Sequence, residues 1–186
     1  MPRAKRYLLP GHIYHLTHRC HNRQFLFPFA VHRNRYRAKL RAAARLFDLS
    51  LLDYSITSNH VHLLAFAEAP DQVSEFVQKA DGEFAQDYNR RKGRSGAFWQ
   101  DRFHSTLVDS GQYLFECIKY IELNMVRCGV VKHPSQWPWC GYAELMGHRE
   151  RFRLLDMGRL LALLQTNDLA DFRQNLVVSL NEAQKS

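Results

Sequence analysis

Two imidazoles one residue apart, His60 and His62, are the side chains in this sequence best suited to hold a metal ion. They stand in the run Ser58-Asn59-His60-Val61-His62-Leu63-Leu64, which continues Ala65-Phe66-Ala67, and an apolar run of this length between polar ends predicts a strand. Side chains alternate along a strand, so both rings leave one face about 6.8 Å apart, with Val61 and Leu63 in the opposite layer. Neutral imidazole is the commonest protein metal ligand, and two on one sheet face make half a chelate that leaves positions open for substrate. Histidines in an apolar strand are about as often satisfied by backbone or water, so residues elsewhere must decide.

A later stretch supplies them. Asp109-Ser110 is expected to cap a helix that runs to Cys128, with Gly129 in the terminating position. At about 100° per residue, Leu114, Ile118, Ile121 and Met125 form its buried stripe. Tyr113, Glu116, Tyr120, Asn124 and Arg127 share a second face, and Tyr120 and Asn124, four apart, lie one above the other. A metal bound through the amide would hold its target near the phenol. The bland reading of Tyr120 is a half-buried tyrosine with its hydroxyl in water.

The elements that must position these groups can be read around them. Gly11 to His18 alternates and contains Ile13, Tyr14 and Thr17, which predicts a first strand; His12, His15, His18 and His21 recur every third residue, so on a strand they cannot all share one metal. Phe29 to Phe47 is helical in pattern, and Arg33, Arg37, Arg41 and Arg45 line one side of it with scarcely an acid in reach; that stripe either seeks an external anion or is solvated. Ser50 to Ile56 is a second strand, turning at Thr57-Ser58-Asn59 into the His60 strand. A second helix opens at Pro70-Asp71 and ends in the basic loop Asn89 to Gly96, and Ala97 to Val108 supplies a fourth strand. The order strand, helix, strand, strand, helix, strand predicts an α+β fold, a ferredoxin-like (RRM-like) antiparallel four-stranded sheet with helices on one face, the tyrosine helix after the last strand, and a C-terminal helical extension. Met157 to Leu164 and Leu169 to Leu180 are its expected helices.

The chain has 186 residues, enough for one domain with an appendage, and a net charge of +8. Residues 1–50 hold eleven Lys or Arg and one acid, while the remainder holds fifteen bases and seventeen acids, so all the excess is in the first quarter. One-sided positive charge attracts polyanions, nucleic acid above all. No stretch reaches the roughly 20 apolar residues of a membrane span and no signal-peptide core follows the basic start, so a cytoplasmic protein is expected. Four scattered cysteines (Cys20, Cys117, Cys128, Cys140) suggest neither a zinc knuckle nor a disulfide framework.

With these pieces together, the chain resembles the HUH single-tyrosine transposases, and within them the REP-associated, IS200/IS605-like group. The resemblance rests on Pro2-Arg3, Tyr14-His15-Leu16-Thr17-His18-Arg19, Asn59-His60-Val61-His62-Leu63-Leu64, Phe98-Trp99-Gln100-Asp101-Arg102, Tyr120-Ile121-Glu122-Leu123-Asn124, Asn124-Met125-Val126-Arg127 and Trp137-Pro138-Trp139. It covers about residues 2–142 and departs from the family pattern at Thr57-Ser58, at Met125 in place of proline, and at Cys140-Gly141. The resemblance implies a catalytic domain over residues 1–142 and an extension over 143–186. It implies a metal-dependent endonuclease and strand transferase acting on single-stranded DNA beside a hairpin such as a repetitive extragenic palindrome. Tyr120 would form a 5′-phosphotyrosine link, and His60, His62 and Asn124 would hold Mg²⁺ or Mn²⁺. Arg3, Lys5, Arg6, Arg19, Arg23 and Arg127 are the nominated DNA contacts, the protein acts as monomer or homodimer near the nucleoid, and a catalytically silent hairpin-binding module is the alternative.

Overall fold

The alternation in the first strand segment produces β1 (His12–Arg19), in a computed structural model that describes residues 8–184. Then come α1 (Ala30–Leu46), β2 (Ser50–Ile56), β3 (His60–Ala67), α2 (Gln72–Lys92) and β4 (His104–Val108). The strands form one antiparallel sheet in the order β2-β3-β1-β4, the α+β arrangement expected. On one face His18 Nδ1 meets Asp81 of α2 at 2.6 Å and Arg37 of α1 donates to Tyr54 Oη at 2.9 Å, so this is the side that α1 and α2 cover. The opposite face, which carries His15, His60 and His62, is crossed beside β2 by α3 (Gln112–Glu122) and the short α4 (Asn124–Arg127). The extension folds as α5 (Tyr142–Leu145), α6 (Met157–Leu163) and α7 (Leu169–Ala183), and buries Leu145, Leu160, Phe172, Leu176 and Leu180 in the same core as the sheet.

Three expectations are corrected. The fourth strand is shorter than Ala97 to Val108, because Phe98 joins the aromatic cluster of Phe27, Phe84 and Tyr88 while its neighbour Trp99 stacks on His18 at 4.3 Å. Both rings turn towards the helices, which the two-residue alternation of a strand forbids. The tyrosine helix begins at Gln112, after Gly111 at φ 67°, and is interrupted at Leu123, where ψ falls to 0°, before resuming at Asn124; Gly129 at φ 69° terminates it as expected.

Apart from the exposed Arg45, the arginine stripe on α1 is neither solvated nor waiting for a foreign anion. Arg33 lies over Trp137 and Trp139 at 4.7 and 4.6 Å. Arg37 pairs with the buried Glu144 and donates to the Phe152 carbonyl at 2.8 Å, and Arg41 donates to the Arg153 carbonyl at 3.3 Å. Three of the four arginines thus fasten residues 137–153 to the sheet. The stretch from Trp139 to Asp156 covers the outer rim of β2: Ile56 donates to the Trp139 carbonyl (2.8 Å), and the Tyr54 and Leu51 carbonyls accept from Gly141 (2.9 Å) and Asp156 (2.8 Å). An edge strand otherwise presents bare peptide groups.

Candidate active site

The turn before β3 is built to aim His60. The Thr57 hydroxyl accepts the backbone N–H groups of Asn59 (3.3 Å) and His60 (3.1 Å) and donates to the His60 carbonyl (2.8 Å). His60 Nδ1 lies 2.8 Å from Asn59 Oδ1, so its Nε2 faces outward with a free lone pair. The pleat then brings His62 to the same face, its ring centroid 4.9 Å from that of His60. The break at Leu123 sends Asn124 down onto this pair, with Nδ2 donating to His62 Nε2 at 3.1 Å. Tyr120 closes the group from the preceding turn, its ring 5.8 Å from His62, and it remains 45% exposed, open to a macromolecular substrate.

Of the nominated residues the structure therefore brings together His60, His62, Asn124 and Tyr120. Arg127 belongs with them: its guanidinium lies 5.1 Å over the Tyr120 ring and Nη1 donates to the Tyr120 carbonyl at 3.4 Å. Arg19 stands opposite His60 in the β1–β3 register, and the Arg23 carbonyl accepts from Asn59 Nδ2 at 3.3 Å, so both sit at the His60 end of the sheet. Arg3, Lys5 and Arg6 lie outside the described residues.

Burial keeps both imidazoles neutral. It pushes His60 down to about 4, with Arg19 adding to the effect, and His62 down to about 3, with His60, His15 and Arg19 adding. In the unfolded chain a histidine titrates near 6.5, so below that pH the unfolded state takes up protons that the folded state refuses. The stability these rings contribute is whole above about pH 6.5 and drains away as pH falls towards their folded values, by up to about 1.4 kcal/mol per pH unit per ring. Urea unfolding of the metal-free protein at pH 7.5 and pH 5 should show this loss in wild type and a flatter profile in His60→Gln/His62→Gln. Parallel profiles would refute it.

Two imidazole nitrogens and an amide oxygen fit a divalent ion. Asn124 Oδ1 is buried and has no hydrogen-bond partner among the described residues, so rotating the amide, at the cost of the Nδ2 bond to His62 alone, would offer a cation an oxygen. No cluster of three His, Cys, Asp or Glu side chains arranged to hold a metal occurs among the described residues.

Sequence reasoning missed other groups. His15 Nε2 sits 3.0 Å from His62 Nδ1, a placement that the β1–β3 register sets and no short spacing announces. Phe25, 68% exposed, stands two residues after Arg23, whereas Phe29, 61% exposed, packs beside the helices against His32 and Lys92. The expected basic loop is tied internally: Arg90 and Arg91 pair with Asp87, and Arg94 donates to Asn89 and the Ala97 carbonyl. His18 serves the other face, where the buried Asp81 carboxylate meets its ring and accepts from Tyr36 at 2.6 Å. A cavity of about 650 Å³ opens there, lined by Asp71, Glu75, Asp81 and Asp101 together with Arg102, on the sheet face away from His62 and Tyr120. No helix among the described residues is long and apolar enough to cross a membrane.

Comparison with known proteins places this geometry in context. Residues 9–124 match the family model described as "Transposase IS200 like". A Haemophilus influenzae protein assigned to the REP-associated tyrosine transposases is 24% identical over 119 residues, which cover 59% of this chain and 68% of that one. Among solved structures, a REP-associated tyrosine transposase bound to a REP hairpin superposes with a TM-score of 0.66 at 19% identity, over 84% of this chain and 94% of the other. At that identity the likeness speaks for the fold.

Proposed function

Because this chain belongs to the IS200-like transposase family, we propose that it cuts and rejoins single-stranded DNA through Tyr120, with His60, His62 and Asn124 as ligands of a divalent ion. The observation that carries the reading is the meeting of a phenol, two neutral imidazoles and an amide from β3, α3 and α4 at one partly open point. Tyr120 Oη attacks the scissile phosphorus, its bond to phosphorus forms as the bond to the 3′ oxygen breaks, and the phenolic proton leaves as the 3′ oxygen gains one. The product is a 5′-phosphotyrosine and a free 3′-hydroxyl, and attack by another 3′-hydroxyl reverses the step and joins strands without ATP. A divalent ion bound there supplies Lewis-acid polarisation of the phosphate. Imidazole donors favour Mn²⁺ over Mg²⁺, which prefers an all-oxygen shell. Arg127, stacked on the nucleophile, is positioned to take a phosphate oxygen.

The proposed partner is hairpin-bearing DNA, as bound by the structural relative. Arg3, Lys5, Arg6, Arg19 and Arg23 provide phosphate contacts, and the exposed ring of Phe25 provides a stacking surface for an unpaired base. Phe25→Ala is expected to weaken binding by about 1–3 kcal/mol at any salt concentration. Arg19→Ala with Arg23→Ala should instead lower the slope of log affinity against log salt by about 2. Fluorescence anisotropy over a salt series separates the two, and a double arginine variant with an unchanged slope removes these residues from the interface. In this reading residues 1–142 form the catalytic unit and 143–186 a helical extension.

The test is incubation with hairpin-flanked single-stranded DNA and Mn²⁺, followed by a denaturing gel. A protein–DNA adduct that survives denaturation is the expected result. Tight binding with no adduct would replace the enzyme by the silent hairpin-binding module.

A further inference from the structure

His15 lies on β1, opposite Leu64 and diagonal to His62. Its ring stacks on His62 with centroids 5.2 Å apart and planes 22° apart, and it meets the Tyr120 ring edge-on at 5.9 Å. Between His15 Nε2 and His62 Nδ1, 3.0 Å apart, only one nitrogen can hold the proton of the hydrogen bond. Asn124 decides which. Its Nδ2 donates to His62 Nε2, so Nε2 is bare, Nδ1 carries the hydrogen, and His15 Nε2 is the acceptor.

We propose that His15 is a positioning residue: by accepting the His62 Nδ1–H it holds the Nε2 lone pair towards the cation position and fixes the plane of the ring. The two imidazoles are thus set by separate acceptors, His60 by its neighbour Asn59 and His62 by a side chain from the adjacent strand. Such outer partners fix tautomer and orientation of a ligating histidine. A carboxylate would do so more strongly, but it would also place a negative charge where a DNA phosphate must approach; a neutral ring gives the orientation without the repulsion. The part concerning the cation rests on the proposed function, whereas the location of the proton does not.

The experiment uses the full chain, ¹⁵N-labelled, at pH 7.5. Long-range proton–nitrogen NMR of the metal-free protein should show His62 protonated at Nδ1 and bare at Nε2. His15→Phe keeps the stacked ring but removes the acceptor, and should shift His62 to a mixture of tautomers; His15→Gln, which restores an acceptor oxygen, should restore the wild-type signature. Mn²⁺ affinity by electron paramagnetic resonance should fall about tenfold in His15→Phe and recover in His15→Gln. Wild-type His62 protonated at Nε2 overturns the proposal, and so does a His15→Phe protein whose His62 tautomer is that of wild type. If wild type takes up no Mn²⁺, the metal reading falls, while the metal-free spectra still decide the role of His15.

Discussion

Replacing Tyr120 by phenylalanine should abolish the covalent protein–DNA adduct, with strand cleavage falling by about four to six orders of magnitude, while hairpin binding stays within about twofold of wild type. The substitution removes a single oxygen from a ring that is nearly half exposed, so stability should move by less than about 0.5 kcal/mol. The ring would keep its edge contacts with His15 and His62 and its place beneath the Arg127 guanidinium. Loss of chemistry with retention of fold and binding is therefore the signature of a nucleophile. The comparison is made by single-turnover cleavage on denaturing gels alongside anisotropy, with His60→Ala/His62→Ala as a second arm that loses cleavage and Mn²⁺ binding together. A Tyr120→Phe protein that still forms adducts would transfer the role to another side chain.

Gly141→Ala should destabilise the protein by about 2–4 kcal/mol, lowering the melting temperature by roughly 5–12 °C. The backbone is no obstacle, since Gly141 has the ordinary helical φ of −69°. The obstacle is a pair of carboxyl groups: a Cβ there would collide with Asp53 Oδ1 and come within 3.0 Å of Glu122 Oε1. Asp53 and Glu122 are 0% and 2% exposed, so neither can retreat into water. Burial raises both, Asp53 well above the usual carboxylate range with the Glu122 carboxyl beside it adding to the effect, and Glu122 to about 7; neither Glu122 oxygen has a hydrogen-bond partner among the described residues. Asp53 Oδ1 is further held by the Tyr54 N–H at 2.8 Å. Adding Asp53→Ala should relieve the collision, so the double variant should be more stable than the sum of the single changes predicts. Melting of Gly141→Ala within 2 °C of wild type would show that the pair yields easily, contrary to this account.

What could be read from the sequence was what depends on short spacing. The pairing of His60 with His62 follows from a period of two, and the stacking of Tyr120 above Asn124 from a period near four, so these four residues were legible before any fold was known. The sheet followed from the same alternations and from turn residues. What failed depends on distant partners. Arg37 looked unpaired because Glu144 stands 107 residues away, and His15 gained its place only through the register that sets it across from Leu64. The interruption at Leu123 has no glycine or proline to announce it; it accompanies the burial of Glu122 against Asp53, which draws one side of the turn inward while Asn124 reaches the histidines. Of the departure at Cys140-Gly141, the glycine is explained by the same carboxyl pair, which fills the space a side chain would need.

The sheet has two margins, and they are unlike. Along β2 the donors and acceptors are already taken by the stretch from Trp139 to Asp156, whereas β4 is short and mostly exposed. A second copy, or any extended peptide seeking to lengthen the sheet, is thus turned away from one margin and admitted only at the other, five residues long. Assembly by strand addition would have a fixed polarity in this protein, and the tail of the chain, through the arginines that fasten it, is what imposes that direction.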